Sequence, residues 1–101
     1  MKKALAVAIL ALGAVPPALA DLALARAKNC MSCHAVERKV LGPSFKDIAA
    51  KYKATQGAQD LLAGKIIKGG VGVWGQLPMP ANTQVNEADA KKLAAWVLSA
   101  Q

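Results

Sequence analysis

Apolar positions recur at helical spacing in four separate stretches of this chain, and nowhere do they alternate in the two-residue rhythm of a strand. Asp21 to Lys28 holds helix formers throughout behind an acid in its first turn, which predicts a short helix running into the segment that follows. Pro43 cannot continue a helix, while Ser44 is a good N-cap for a second one over Phe45 to Tyr52. Lys53 to Gly57 is a polar connection. Ala58 to Lys68 reads as a third helix with Leu62, Ile66 and Leu61 on one side, and Gly69-Gly70 stops it. Asn86, with Asp89 three residues on, resembles a capping box and opens a last helix to about Ala100. The apolar side of that helix is Leu93, Ala94, Trp96 and Val97. Between Gly69 and Val85 the pattern fits neither helix nor strand. The expected fold class is therefore all-α, with about four short helices and no repeats.

The stretch ahead of the first helix has a different character. Met1-Lys2-Lys3 makes a basic start, Ala4 to Val15 is apolar, and small residues at Ala18 and Ala20 precede Asp21, which is the layout of a cleaved secretory signal peptide. An uncleaved anchor fits less well, because the twelve residues from Ala4 to Val15 fall short of the roughly 18 to 20 that span a bilayer. Two lysines with no Arg-Arg pair favour export of an unfolded chain, and cleavage after Ala20 would release a periplasmic protein. Removing 20 residues from 101 leaves 81, a single domain over residues 21–101. Domains of that size usually carry a staple. The hydrophobic fraction of 54% is inflated by the export segment and does not signal a large core.

Charge adjusts the picture of partners. The full chain carries 13 Lys+Arg against 6 Asp+Glu, a net +7, and losing Lys2 and Lys3 leaves +5. A moderately basic protein suits partners with acidic docking surfaces, in contacts that weaken as salt rises. Nucleic acid is a poor reading, since an exported chain does not meet it and the lysines are scattered.

The chemistry concentrates in Cys30-Met31-Ser32-Cys33-His34, which holds both cysteines and the single histidine. Cys-x-x-Cys-His is the attachment signature of a c-type haem: two thiols at this spacing reach the two vinyl groups on one edge of a porphyrin, and the next residue offers an imidazole to the iron. A zinc site would need about four ligands where this motif offers three. A thioredoxin-like redox pair expects a βαβ context that is absent from the pattern. A short-loop disulfide is open to any exported chain.

A haem iron held by His34 needs a decision about its other face, where Met, Lys, His, Tyr or nothing are the candidates. The lone histidine excludes a second imidazole from the same chain. Met1 leaves with the export segment, Met31 is trapped inside the motif, and Met79 sits between Pro78 and Pro80, which stiffen the backbone around it. Met79 is the favoured ligand over a role as core filler. Gly70 to Gly75 spells G-x-G-x-x-G, but a helix precedes it, prolines follow, and no acid stands twenty residues on, so a dinucleotide site is rejected. These glycines would instead let backbone approach the haem edge. The Trp74 indole N–H is a candidate donor to one propionate, and Lys65 could neutralise the other.

Together Cys30 to His34, Leu41-Gly42-Pro43-Ser44-Phe45, Val73-Trp74-Gly75 and Pro78-Met79-Pro80-Ala81-Asn82 stand in an order and approximate spacing that resemble the small bacterial class I cytochromes c of the c-551/c-552 type. The resemblance covers nearly all of residues 21–101. It implies that fold, about four short helices wrapped around one covalently bound haem c, with thioethers at Cys30 and Cys33 and axial His34 and Met79. It also implies that the Pro43 carbonyl accepts the proton on the far ring nitrogen of His34. Asn82 matches a position whose side chain approaches the methionine sulfur, and Lys65 and Trp74 match positions near the propionates. Where the family often has a second proline this chain has Ala81, and where it often has Arg this chain has Lys65, which removes a fork-shaped propionate contact.

The implied function is single-electron transport in a periplasmic respiratory chain by a monomer with no membrane span after processing, and not catalysis. Expected donors are a cytochrome bc-type complex or other cytochromes, and expected acceptors a nitrite reductase or terminal oxidase. The alternatives are a five-coordinate haem protein with gas-binding or peroxidase-like behaviour, and an exported dithiol or metal-binding module without haem.

Overall fold

The computed structural model describes residues 15–101; most of the expected export segment, residues 1–14, lies outside the described residues. Four helices follow in order: α1 (Pro17–Ala27), α2 (Phe45–Tyr52), α3 (Ala58–Lys68) and α4 (Glu87–Leu98), with a 3-10 turn over Cys30–Ser32 after α1. Among the described residues there are no strands beyond two isolated bridges, His34 with Lys39 and Gly70 with Met79, so the all-α expectation holds.

Local chemistry accounts for most boundaries. Ser44 Oγ accepts the Asp47 N–H at 3.0 Å and caps α2. Asn86 Oδ1 accepts the Asp89 N–H at 2.8 Å and caps α4. The last helix stops at Leu98, short of the expected Ala100, where the chain tightens into 3-10-type bonds: the Ser99 and Ala100 N–H groups donate to the Trp96 and Val97 carbonyls at 3.1 Å, and Ser99 Oγ adds a bond to the Trp96 carbonyl at 2.6 Å. At the other end, α1 begins four residues before the expected Asp21. Pro17 occupies a first-turn position, where its missing N–H costs nothing, and Ala18-Leu19-Ala20 continue the helix. The Ala20–Asp21 bond, the expected cleavage point, thus lies inside α1. Asn29, the only non-glycine with positive φ among the described residues (66°), ends α1 and leads into the 3-10 turn.

The core gathers on α4, which packs on α1, α2 and α3. Leu93, Ala94 and Val97 are buried as the apolar stripe requires, while Trp96 is half-buried at the edge. Leu93 and Ala94 share one core cluster with Leu62 and Ala63 of α3, Tyr52 of α2 and Ala25 of α1, and Trp96 packs against it. Ala25, Ala90 and Ala94 are completely buried, and their small side chains let the helix axes approach closely. One expected core position differs: Leu61 is 44% exposed. A residue next to Leu62 is turned by about 100° around a helix, which carries Leu61 off the packed face.

Candidate functional site

The 3-10 turn brings Cys30, Cys33 and His34 to one wall of a cavity of about 580 Å³. The backbone of His34 donates to the Cys30 carbonyl at 3.0 Å, so the pentapeptide closes on itself before the chain moves on. Both cysteines are half-buried and neither is in a disulfide. Burial, the largest influence, pushes the Cys30 thiol above its ordinary value, with the neighbouring Cys33 adding to the rise against a backbone hydrogen bond that lowers it. Among the described residues no three of His, Cys, Asp and Glu gather as a metal cluster.

His34 is held on every side. It is 8% exposed, and its Nδ1 lies 2.7 Å from the Pro43 carbonyl. A carbonyl only accepts, so Nδ1 carries the proton and donates, which leaves the Nε2 lone pair for a metal. The Phe45 ring stacks on the imidazole with centroids 5.1 Å apart at 26°, and Trp96 meets Phe45 edge-on at 5.2 Å. On Gly42 a Cβ would stand 2.6 Å from His34 Cε1 and 3.0 Å from Nδ1, so only glycine leaves room for the ring. The Gly42 N–H in turn donates to the Cys33 carbonyl at 2.8 Å, tying this packing to the motif itself. Gly42 was quoted in the sequence only as part of a pattern; its contact with the ring emerges from the fold.

Met79 faces the same cavity from a different support. Gly70 and Met79 exchange backbone hydrogen bonds of 3.1 and 2.8 Å, closing a lobe over residues 70–79. Gly69 has φ 74°, and a Cβ there would collide with the Met79 carbonyl and stand 2.8 Å from the Ala81 nitrogen. Asn82 completes the attachment. Its backbone N–H donates to the Ile66 and Ile67 carbonyls, and its side-chain Nδ2 donates to the carbonyls of Ile66 (2.9 Å) and Pro80 (3.3 Å). One amide hydrogen thus goes to backbone near the end of α3 and the other to the loop's own Pro80 carbonyl, so Asn82 ties the methionine loop to that helix. Neither Gly69 as a contact point nor this use of Asn82 was visible in the sequence, where Gly69 figured only as a helix stop.

The remaining lining is mostly apolar. Leu41, Val71, Val73, Trp74 and Leu77, all more than 40% exposed in the polypeptide, border this one cavity. A flat apolar group inserted among them would cover surface that no other described residue covers. Lys65 and Lys39 line the cavity as well, and Lys65 has no carboxylate partner among the described residues. Trp74 is 42% exposed beside them. Gly72 and Gly75 have positive φ, 95° and 113°, with no protein atom near where a Cβ would stand. Two thiols, an imidazole nitrogen, a thioether and an apolar lining share this cavity, a donor set that fits a haem.

Comparison with known proteins gives the same answer. A family model described as Cytochrome c matches residues 22–101. Cytochrome c-551 of Allochromatium vinosum is 50% identical over 91 residues, 90% of this chain and 97% of that protein. Cytochrome c-552 of Nitrosomonas europaea is 57% identical over 82 residues, 81% of this chain and 80% of that protein. The crystal structure of the wild-type Nitrosomonas europaea cytochrome c552 superposes with a TM-score of 0.78 at 55% identity, covering 79% of this chain and 99% of that one. With a Cys-x-x-Cys-His signature, a cavity whose donor set fits a haem and a family model that matches residues 22–101, the chain belongs to the cytochrome c family, whose cofactor is one covalently bound haem c.

Proposed function

We propose that this monohaem electron carrier works in the periplasm, passing single electrons between redox proteins through a haem bound by thioethers to Cys30 and Cys33 and ligated axially by His34 and Met79. The observation that carries the reading is the presence of His34 and Met79 on the lining of one apolar cavity, each fixed by its own backbone scaffold. The haem, when bound, supplies the Fe(III)/Fe(II) couple. The protein supplies everything that sets its environment. Pro43 orients the imidazole and strengthens it as a donor. A soft thioether and a dry lining favour the ferrous state and so raise the potential relative to two nitrogen ligands. The Trp74 indole N–H and the Lys65 ammonium are suited to the two propionates. If His34 and Met79 both ligated the iron, they would leave no coordination site for a substrate, in keeping with a carrier and against an enzyme.

Read as an export segment cleaved after Ala20, residues 1–20 would send the mature chain, residues 21–101, outside the cytoplasm. The family match over residues 22–101 supports that division. No helix among the described residues is long and apolar enough to cross a membrane. The positive net charge and Lys39 on the cavity lining suit a monomer that docks to acidic partners such as a cytochrome bc-type complex, a nitrite reductase or a terminal oxidase. Carbon monoxide tests the ligand set: the reduced native protein is expected to bind it slowly and weakly, and rapid, tight binding would sink the carrier reading in favour of a five-coordinate gas-binding or peroxidase-like protein. Rates of electron exchange with isolated periplasmic oxidoreductases, taken at two ionic strengths, test the partners; they are expected to fall at the higher salt.

A further inference from the structure

The lobe over residues 70–79 is well fastened at its base and hardly at all at its tip. Beyond the Gly70–Met79 exchange its one internal bond is Gly72 N–H to the Gly75 carbonyl at 3.0 Å, and among the described residues no hydrogen bond joins residues 71–78 to the rest of the chain. Its apolar side chains are open, with Val71 at 66% and Leu77 at 63% exposure. One contact reaches across to the tip. Lys51, in the last turn of α2, holds its ammonium 5.7 Å from the Trp74 ring centroid and 5.9 Å from that of Tyr52. Both lie within the range of a cation–π attraction. Tyr52 is buried in the core with Leu62 and Leu93, so the cation lies near both a ring packed in the core and a ring carried by the lobe. No carboxylate pairs with Lys51 among the described residues, so no ion pair competes for it.

We propose that Lys51 is a positioning residue for the cavity rim, pinning Trp74, and with it the tip of the 70–79 lobe, against the end of α2. Trp74 borders the cavity, so this contact sets where its indole stands relative to a bound haem. The charge does this work through the ring face and needs no hydrogen bond, which suits a loop that offers almost none.

Hydrogen exchange in the reduced, haem-loaded protein tests it, because the Gly72 N–H is bonded only within the lobe and reports its opening. Lys51→Gln is expected to speed Gly72 exchange about 2- to 5-fold, the range an exposed cation–π contact supports. Lys51→Arg should restore the native rate, since guanidinium keeps the charge and stacks well on indole. Lys53→Gln, which removes the same charge two residues along, should leave it unchanged, as should any of these changes for the Gly70 and Met79 amides at the base. In a Trp74→Leu background, Lys51→Gln should have no further effect on Gly72. Equal acceleration by Lys53→Gln, a native rate in Lys51→Gln, failure of the arginine variant, or a full Lys51→Gln effect without Trp74 would each overturn the proposal.

Discussion

The two sides of the haem cavity are built by different means. On the His34 side everything comes from residues 30–45: the 3-10 turn, the Pro43 carbonyl, the Gly42 backbone and the Phe45 ring all lie within sixteen positions of chain. On the Met79 side the support is borrowed from the end of α3, through Gly69, the Gly70 exchange and Asn82, and the tip of the lobe leans on α2. The first wall is side-chain packing around a buried ring; the second is a set of backbone hydrogen bonds under a largely exposed loop. Packing of that density resists displacement, whereas a loop held by a few bonds opens at lower cost. The His34 wall should therefore behave as a fixed anchor and the Met79 wall as the part that yields first.

The largest effects come from removing what each wall contributes. Cys30→Ala with Cys33→Ala should abolish covalent attachment altogether, and haem that stays with the denatured, extracted polypeptide in that double variant would refute the attachment. Met79→Ala should keep the haem attached yet lower the potential, on the order of 0.1 V within the span over which axial ligands act. The same variant should admit carbon monoxide to the reduced protein rapidly. A native spectrum and potential would mean that another group ligates the iron.

Two glycines sharpen the contrast at smaller cost. Alanine at Gly42 presses on the His34 ring, and alanine at Gly69 both clashes with the Met79–Ala81 backbone and forces a side chain into positive φ. Each should destabilise the holoprotein by about 1–3 kcal/mol in reversible urea unfolding. Their local consequences should part ways. Gly69→Ala should raise the affinity of ferric protein for an external ligand such as imidazole, because the yielding wall is the one disturbed. Gly42→Ala should lower stability without that gain. The reverse assignment would invert the picture of anchor and yielding wall.

The same difference explains what could be read from the chain in advance. The His34 wall is local, so a five-residue motif and a Pro-Ser punctuation were enough to single out His34 as a candidate ligand and to place the start of α2. Three helices were legible for a similar reason, α2 and α4 through a side-chain cap and α3 through a glycine stop, whereas α1 carries neither and begins four residues before its expected start. The Met79 wall depends on contacts made only when α3 is in place: Asn82 reaches Ile66 across sixteen positions. From sequence alone Met79 stood out by its prolines and by elimination, while Gly69 read as a helix stop and nothing more. Leu61 was misplaced because two adjacent leucines look alike in a list and differ by a quarter turn on a helix. Lys51 gave no signal, since a lysine near the end of an amphipathic helix is ordinary until a ring from elsewhere arrives beneath it.

Asn82 allows the finest distinction. Its amide donates to Ile66 and Pro80 and accepts from Gln84 Nε2 at 3.3 Å, whereas the family resemblance has this side chain approaching the methionine sulfur. Asn82→Ala removes the side-chain bonds but keeps the backbone N–H on the Ile66 and Ile67 carbonyls, so the Ile66 oxygen is not orphaned. The loss should be about 0.5–1.5 kcal/mol, the usual net worth of such a bond. If the side chain serves mainly as a fastening, urea unfolding should register that loss while the potential of the intact protein stays near native. A potential that drops clearly with stability almost unchanged would instead mean that the amide acts on the sulfur itself. The yielding wall would then owe its hold on Met79 to a contact at the ligand, and less to its suspension from α3.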